Sequence, residues 1–186
     1  MPRIVAGWAG SLQLAVPPDG TRPTSDRTRE ALFSMLEARD AVDGAAVLDL
    51  YAGSGALGLE SLSRGAASAV LVERAPRAAR VIRENVARLR RAAPAPLDVR
   101  VAQQAARAFL AAPGGAFDLV LSDPPYDLAE ADVAADLVAL LPHLTAEPLV
   151  LLERSVRSPA PVLPDGLVLE RTRTYGDTAV HLLVRG

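Results

Sequence analysis

The sequence predicts an α/β fold: a mostly parallel sheet of seven strands with helices on both faces, a C-terminal antiparallel hairpin and a small N-terminal β-hairpin extension. Three observations lead there. From residue 46 onward, short apolar runs alternate with helical patterns, which is the signature of repeated βα units. Those runs are apolar at nearly every position, as strands covered on both faces are. At the C-terminus the alternation stops, and two strand-like runs flank Tyr175-Gly176-Asp177, so the last pair closes as a hairpin.

The elements follow in order. Arg3-Ile4-Val5-Ala6 and Leu12-Gln13-Leu14-Ala15-Val16 flank a Gly-rich turn, and Pro17-Pro18-Asp19-Gly20 is a break. The extension is taken as residues 1–22 and the main domain as 23–186. Thr24-Ser25-Asp26 supplies capping side chains for a helix to about Arg39, in which Leu32, Met35 and Leu36 form an apolar stripe. Strand 46–50 leads to helix 56–63, and strand 69–72 ends at Glu73. Helix 76–91 starts at Pro76. It sets Ala78, Ile82, Val86 and Leu89 against a side bearing Arg77, Arg80, Arg88 and Arg91. That side reads as a solvated face, with phosphate contact as the functional alternative. Strand 97–101, helix 104–111, strand 117–121, helix 130–141 and strand 149–152 continue the pattern, and strands 167–174 and 179–184 close it.

Composition excludes several function classes. The chain of 186 residues suits one domain of ordinary size, and its hydrophobic half is enough for a core. With no cysteine there is neither a disulfide framework nor a thiolate metal site, and His143 and His181 lie far apart, so metal-free chemistry is expected. No apolar run is long enough to span a membrane, and no apolar leader opens the chain, so a cytoplasmic monomer is expected. The net charge of −2 gives no global basic field for nucleic acid. All cations are arginine, whose planar fork binds phosphate and stacks on bases.

Two motifs carry chemistry. After strand 117–121 comes Ser122-Asp123-Pro124-Pro125-Tyr126. Consecutive prolines fix φ and remove two donors, so the strand must stop there. This holds an acceptor (Asp123), a free carbonyl (Pro124) and a stacking ring (Tyr126) at a strand's carboxyl end, where open α/β sheets bind ligands. Those groups suit a planar base with an exocyclic amine. The second motif is Tyr51-Ala52-Gly53-Ser54-Gly55-Ala56-Leu57-Gly58, a G-x-G-x-x-G loop between strand and helix. Glu73, twenty residues after Gly53, stands where a carboxylate accepts both ribose hydroxyls of an adenosine cofactor. NAD and S-adenosyl-L-methionine both fit this spacing. Asp49, before the loop, suits the amino group of a methionine moiety and would crowd a pyrophosphate, and hydride transfer has no use for the Pro-Pro-Tyr corner. Both points favour S-adenosylmethionine.

At these residues the chain resembles the class I, Rossmann-like methyltransferases with a D/N-P-P-Y/F motif, and more narrowly the RsmD family of 16S ribosomal RNA guanine-N2 methyltransferases. The likeness runs through Arg3-Ile4-Val5-Ala6-Gly7, Thr21-Arg22-Pro23-Thr24-Ser25-Asp26-Arg27, the block from Leu48 to Glu60, Leu62 to Ala66, Asp123-Pro124-Pro125-Tyr126, and Tyr175-Gly176-Asp177-Thr178. It departs at Trp8-Ala9-Gly10-Ser11-Leu12, where the family usually has a basic run, and at Ala102-Gln103-Gln104-Ala105, where many relatives carry an acid near the adenine.

The resemblance implies methyl transfer from S-adenosylmethionine to N2 of a guanine in 16S rRNA of the small subunit or a late assembly intermediate. It implies catalysis by Asp123, Pro124 and Tyr126. Cofactor contacts fall to Thr24, Asp49, Tyr51, Ala52, Gly53, Ser54, Gly55, Gly58, Glu73, Arg74, Gln104, Ala105 and Asp123. RNA contacts fall to Arg3, Arg22, Arg27, Pro125 and Tyr126. Three rival readings stand beside it: methylation of adenine N6 or another base, an NAD-dependent oxidoreductase, and a non-catalytic RNA-binding factor.

Overall fold

A computed structural model describes residues 2–17 and 25–186. Seven strands form one sheet: β1 (Ala46–Asp49), β2 (Ser68–Val72), β3 (Asp98–Ala102), β4 (Phe117–Ser122), β5 (Leu144–Ser155), β6 (Leu167–Tyr175) and β7 (Thr178–Arg185). Their spatial order is β3-β2-β1-β4-β5-β7-β6. The first five are parallel, and β7 pairs antiparallel with both β5 and β6. The strand order reverses between β1 and β4, which opens a crevice at their carboxyl ends.

Helices α1 (Asp26–Glu37), α2 (Ala56–Ser63) and α3 (Pro76–Ala92) cover one face. Leu32, Phe33, Leu59, Ile82 and Leu89 pack there on Val47, Leu71, Leu119 and Leu151. Helices α4 (Ala106–Leu110) and α5 (Glu130–Leu140) cover the other, where Phe109, Val133 and Leu137 meet Leu48, Val120 and Val150. Ser25 caps α1, its side chain accepting from the Thr28 N–H at 3.1 Å.

Two elements differ from the sequence reading. Strand β5 is far longer than 149–152. It runs through Pro148, where the register between β4 and β5 slips between Phe117 and Leu119, and such an irregularity tolerates a proline. At its other end β5 continues through Glu153 and Arg154, each 1% exposed. The N-terminal hairpin is reduced to one antiparallel bridge, Arg3 to Gln13. Across it Ile4 donates to the Leu12 carbonyl, Leu14 to that of Pro2 and Ser11 to that of Ile4, while the stretch between binds α2. Val5 and Ala6 donate to the Glu60 carboxylate at 2.7 and 2.9 Å, and Trp8 and Ala9 donate to Ser63. Gly7, at φ +77°, lies so close to α2 that a Cβ would fall 1.8 Å from the Ser63 carbonyl oxygen. Ile4 and Leu14 are buried in the same core as α1.

Candidate active site

The glycine loop leaves β1 and enters α2 through two left-handed residues, Gly53 (φ +55°) and Gly55 (φ +80°). A Cβ on Gly55 would stand 3.0 Å from Leu71 Cδ2, whereas one on Gly53 would meet nothing within 4 Å. The loop is thus pressed against the sheet at Gly55 and open at Gly53, the space a ligand needs to reach main chain. Glu73 fixes this shape, accepting from the Gly53 N–H at 3.0 Å and the Ala75 N–H at 2.7 Å. A carboxylate has about four lone-pair sites, so both oxygens retain capacity for ribose hydroxyls. Asn85 of α3, fully buried, donates to the carbonyls of Ser54 and Ala15, both at 2.9 Å. It thereby ties the loop to the N-terminal segment.

Asp49 is 2% exposed and accepts from the Gly58 N–H at 2.9 Å. Burial pushes its carboxyl up to about 7, with Asp123 and Glu73 adding to the rise and the Gly58 bond opposing it. Opposite, Asp123-Pro124-Pro125-Tyr126 follows β4. Burial raises Asp123 to about 6 against the pull of the Arg154 guanidinium. Arg154, on β5, braces the corner from beneath. It donates to the Pro125 carbonyl at 3.2 Å, the Leu128 carbonyl at 3.0 Å and Glu130 Oε1 at 2.6 Å. Tyr126 presents an exposed ring whose hydroxyl bonds Thr178 Oγ1 of β7 at 3.0 Å. One end of the ring is anchored and its face is free.

Asp49 and Glu153 on β1 and β5, and Glu73 and Asp123 just past the ends of β2 and β4, continue one face by register. Glu153 is pushed up to about 8 by burial, then by Asp123 and Asp49. Such a row of carboxylates attracts a cationic ligand and suits a positively charged methyl donor better than a pyrophosphate.

The fold therefore brings Asp49, Ala52, Gly53, Ser54, Gly55, Gly58, Glu73, Asp123, Pro124, Pro125 and Tyr126 to one end of β1, β2 and β4. Arg74, Gln104 and Ala105 are exposed beside them, past the ends of β2 and β3. Tyr51 belongs to the loop, but its side chain turns away. Its hydroxyl donates to Asp136, which also holds Arg107 at 2.6 Å, and burial with Asp136 pushes the phenol up. Only Tyr51 main chain remains for a cofactor. Arg3 pairs with Asp26 at 3.3 Å, away from the corner, and Arg27 is exposed on α1. Arg22 and Thr24 lie outside the described residues. Sequence reasoning missed Asn85, Glu153 and Arg154. The charged pair at the end of an apolar run was the available signal for the last two.

The chain matches a family model described as "Conserved hypothetical protein 95" over residues 2–184. It is 38% identical over 185 residues to "Ribosomal RNA small subunit methyltransferase D" of Escherichia coli, covering 98% of this chain and 89% of that protein. The Haemophilus influenzae protein of the same name is 31% identical over 183 residues, covering 97% and 92%. The solved structure of Escherichia coli yhhF superposes with a TM-score of 0.83 at 35% identity, covering 99% of this chain and 97% of that one.

Proposed function

From the premise that the chain belongs to the RsmD family, whose model it matches from end to end, we propose that it methylates the exocyclic N2 of one guanine in 16S rRNA. At the coarser level it is a small-subunit rRNA methyltransferase that uses S-adenosylmethionine. The observation that carries methylation of an exocyclic amine is the rigid Asp123-Pro124-Pro125-Tyr126 corner, braced by Arg154 and set one strand from the cofactor loop, and the choice of guanine N2 rests on the family likeness.

The residues present fit the donor: an open glycine loop, a loop-anchored Glu73 and an acidic wall. Bound there, S-adenosylmethionine would supply the sulfonium methyl and be released as the thioether, with the methylated nitrogen giving up one proton to Asp123 or water. The protein's own work is on the acceptor. An aryl amine is a poor nucleophile because its lone pair is delocalised into the ring. Asp123 and the Pro124 carbonyl each accept one N–H, which orients the amine and favours tetrahedral nitrogen. Tyr126 stacks on the base, which must be unstacked or extruded to reach the corner. Holding the reactants in line contributes up to roughly 7–11 kcal/mol in the best-oriented systems. Arg154 keeps Asp123 ionised more than burial alone would allow. The substrate is the small subunit or a late assembly intermediate, approached by a cytoplasmic monomer. Thr24, Arg22 and Arg27 remain candidates for cofactor and RNA contact.

The test is mass-spectrometric mapping of 16S rRNA from a strain lacking this protein, complemented with wild type or Asp123→Ala. One N2-methylguanine should disappear in the deletion and return only with wild type. A full methylation pattern in the deletion, or loss of a methyladenine instead, refutes the reading.

A further inference from the structure

Beside the amine-gripping corner, two buried polar atoms have no hydrogen-bond partner among the described residues: Glu153 Oε1 and the Tyr175 hydroxyl. Proteins rarely leave such atoms unmatched, and exceptions ask for a functional account. The other unmatched atoms belong to Arg29, Glu130 and Arg154, whose charged groups are already paired through a second atom. Glu153 has no ion pair among the described residues and Tyr175 no polar contact there, so their unmatched atoms stand alone.

Register places them on one face of the sheet, with β7 between their strands. Ser122 of β4 pairs with Leu152 of β5, so Asp123 and Glu153 follow side by side. Glu153 pairs with Val180, Ser155 with Thr178, and Thr178 with Tyr175. Paired residues share a face, as do residues two apart on a strand, so Glu153, Val180, Thr178 and Tyr175 lie on one face. Thr178 is also the residue that anchors the Tyr126 ring.

We infer that Glu153 and Tyr175 read the ring edge of guanine: Glu153 accepts the N1–H and the Tyr175 hydroxyl donates to O6. This rests on the amine-gripping role of Asp123 and Pro124 argued above. Among base amines, only the guanine one has a ring N–H donor beside it. The amines of adenine and cytosine sit next to bare ring nitrogens, which would set a lone pair against the ionised Glu153 carboxylate, so the comparison below is made above about pH 8. A site built to hydrogen-bond one pattern rejects a base that leaves its buried groups unpaired. Across β4, β5 and β6 the protein thus presents acceptors for the amine, an acceptor for N1–H and a donor for O6.

The experiment uses small subunits reconstituted with guanine or 2,6-diaminopurine at the mapped position. Both bases carry the 2-amine, but diaminopurine has a bare N1 and an amine in place of O6. Wild type should favour guanine by about a hundredfold in kcat/KM. Glu153→Gln, whose amide can turn its NH2 toward a bare N1, should cut that ratio by about tenfold, and Tyr175→Phe should lower it as well. Affinity for S-adenosylmethionine should be unchanged in Tyr175→Phe, whose hydroxyl lies outside the acidic row. Should Glu153→Gln fail to fold, Tyr175→Phe carries the test, since it removes only an unpartnered hydroxyl. Folded variants that keep the wild-type ratio overturn the inference while leaving guanine methylation standing. Wild-type methylation of adenine overturns both.

Discussion

Replacing Arg154 by Met removes the guanidinium beneath the double-proline corner while keeping most of its length and apolar stem. Three acceptors lose a charged donor: the carbonyls of Pro125 and Leu128 and the Glu130 carboxylate. Truncating one partner of a buried ion pair costs about 3–5 kcal/mol, because the other charge is left unmatched. Glu130 retains 27% side-chain exposure, so water recovers part of that loss and the lower end applies, about 3 kcal/mol. The corner then loses the side chain that couples it to β5. Asp123 loses its one charge-stabilising neighbour, so its carboxyl moves further above about 6 and the acid limb of turnover shifts to higher pH. Urea denaturation measures the first effect, and methyl transfer at several pH values the second. The double variant Arg154→Met, Glu130→Gln should recover about 1 kcal/mol, as expected for coupled neighbours. A loss below about 1 kcal/mol with an unchanged pH profile would refute the bracing role.

Other expectations concern the cofactor loop and the acidic row. Glu73→Ala should weaken S-adenosylmethionine binding by about tenfold in calorimetry, since it removes the proposed ribose acceptor and frees the Gly53 N–H; equal affinity would remove Glu73 from the site. Gly55→Ala puts an L side chain at φ +80° and against Leu71, and should cost about 1–2 kcal/mol in denaturant titrations. The carboxyls of Asp49, Asp123 and Glu153 are all raised by folding, so the native state holds more protons than the unfolded one between about pH 4 and 8. Their contribution to stability is full below the unfolded values and is lost as pH rises through about 6 to 8. Glu153→Gln should therefore flatten the alkaline decline, and an identical pH–stability curve would contradict this.

Much of this molecule could be read along the chain because its strands and their ligand-facing ends announce themselves locally. Val47-Leu48, Leu119-Val120-Leu121 and Val150-Leu151-Leu152 are buried on both faces and read as unbroken apolar runs. The glycine loop and the double proline are backbone constraints, visible without any tertiary partner. What stayed hidden depends on contacts between distant segments. Glu153 and Arg154 look like a strand's exit to solvent, yet both are buried because β7 covers one side and the Pro125–Leu128 turn consumes the guanidinium. Tyr51 sits in the loop by sequence but is claimed by Asp136, 85 residues away. The N-terminal segment reads as a self-sufficient hairpin; its arms do bond each other, but the amides of Val5, Ala6, Trp8 and Ala9 go to Glu60 and Ser63 of α2.

The pocket itself is tested most directly by a crystal structure with S-adenosylhomocysteine. The account predicts ribose hydroxyls on Glu73, main chain of Gly53 against the ligand, and the sulfur turned toward Asp123 and Pro124. A ligand bound elsewhere, or one whose sulfur points away from that corner, would contradict it.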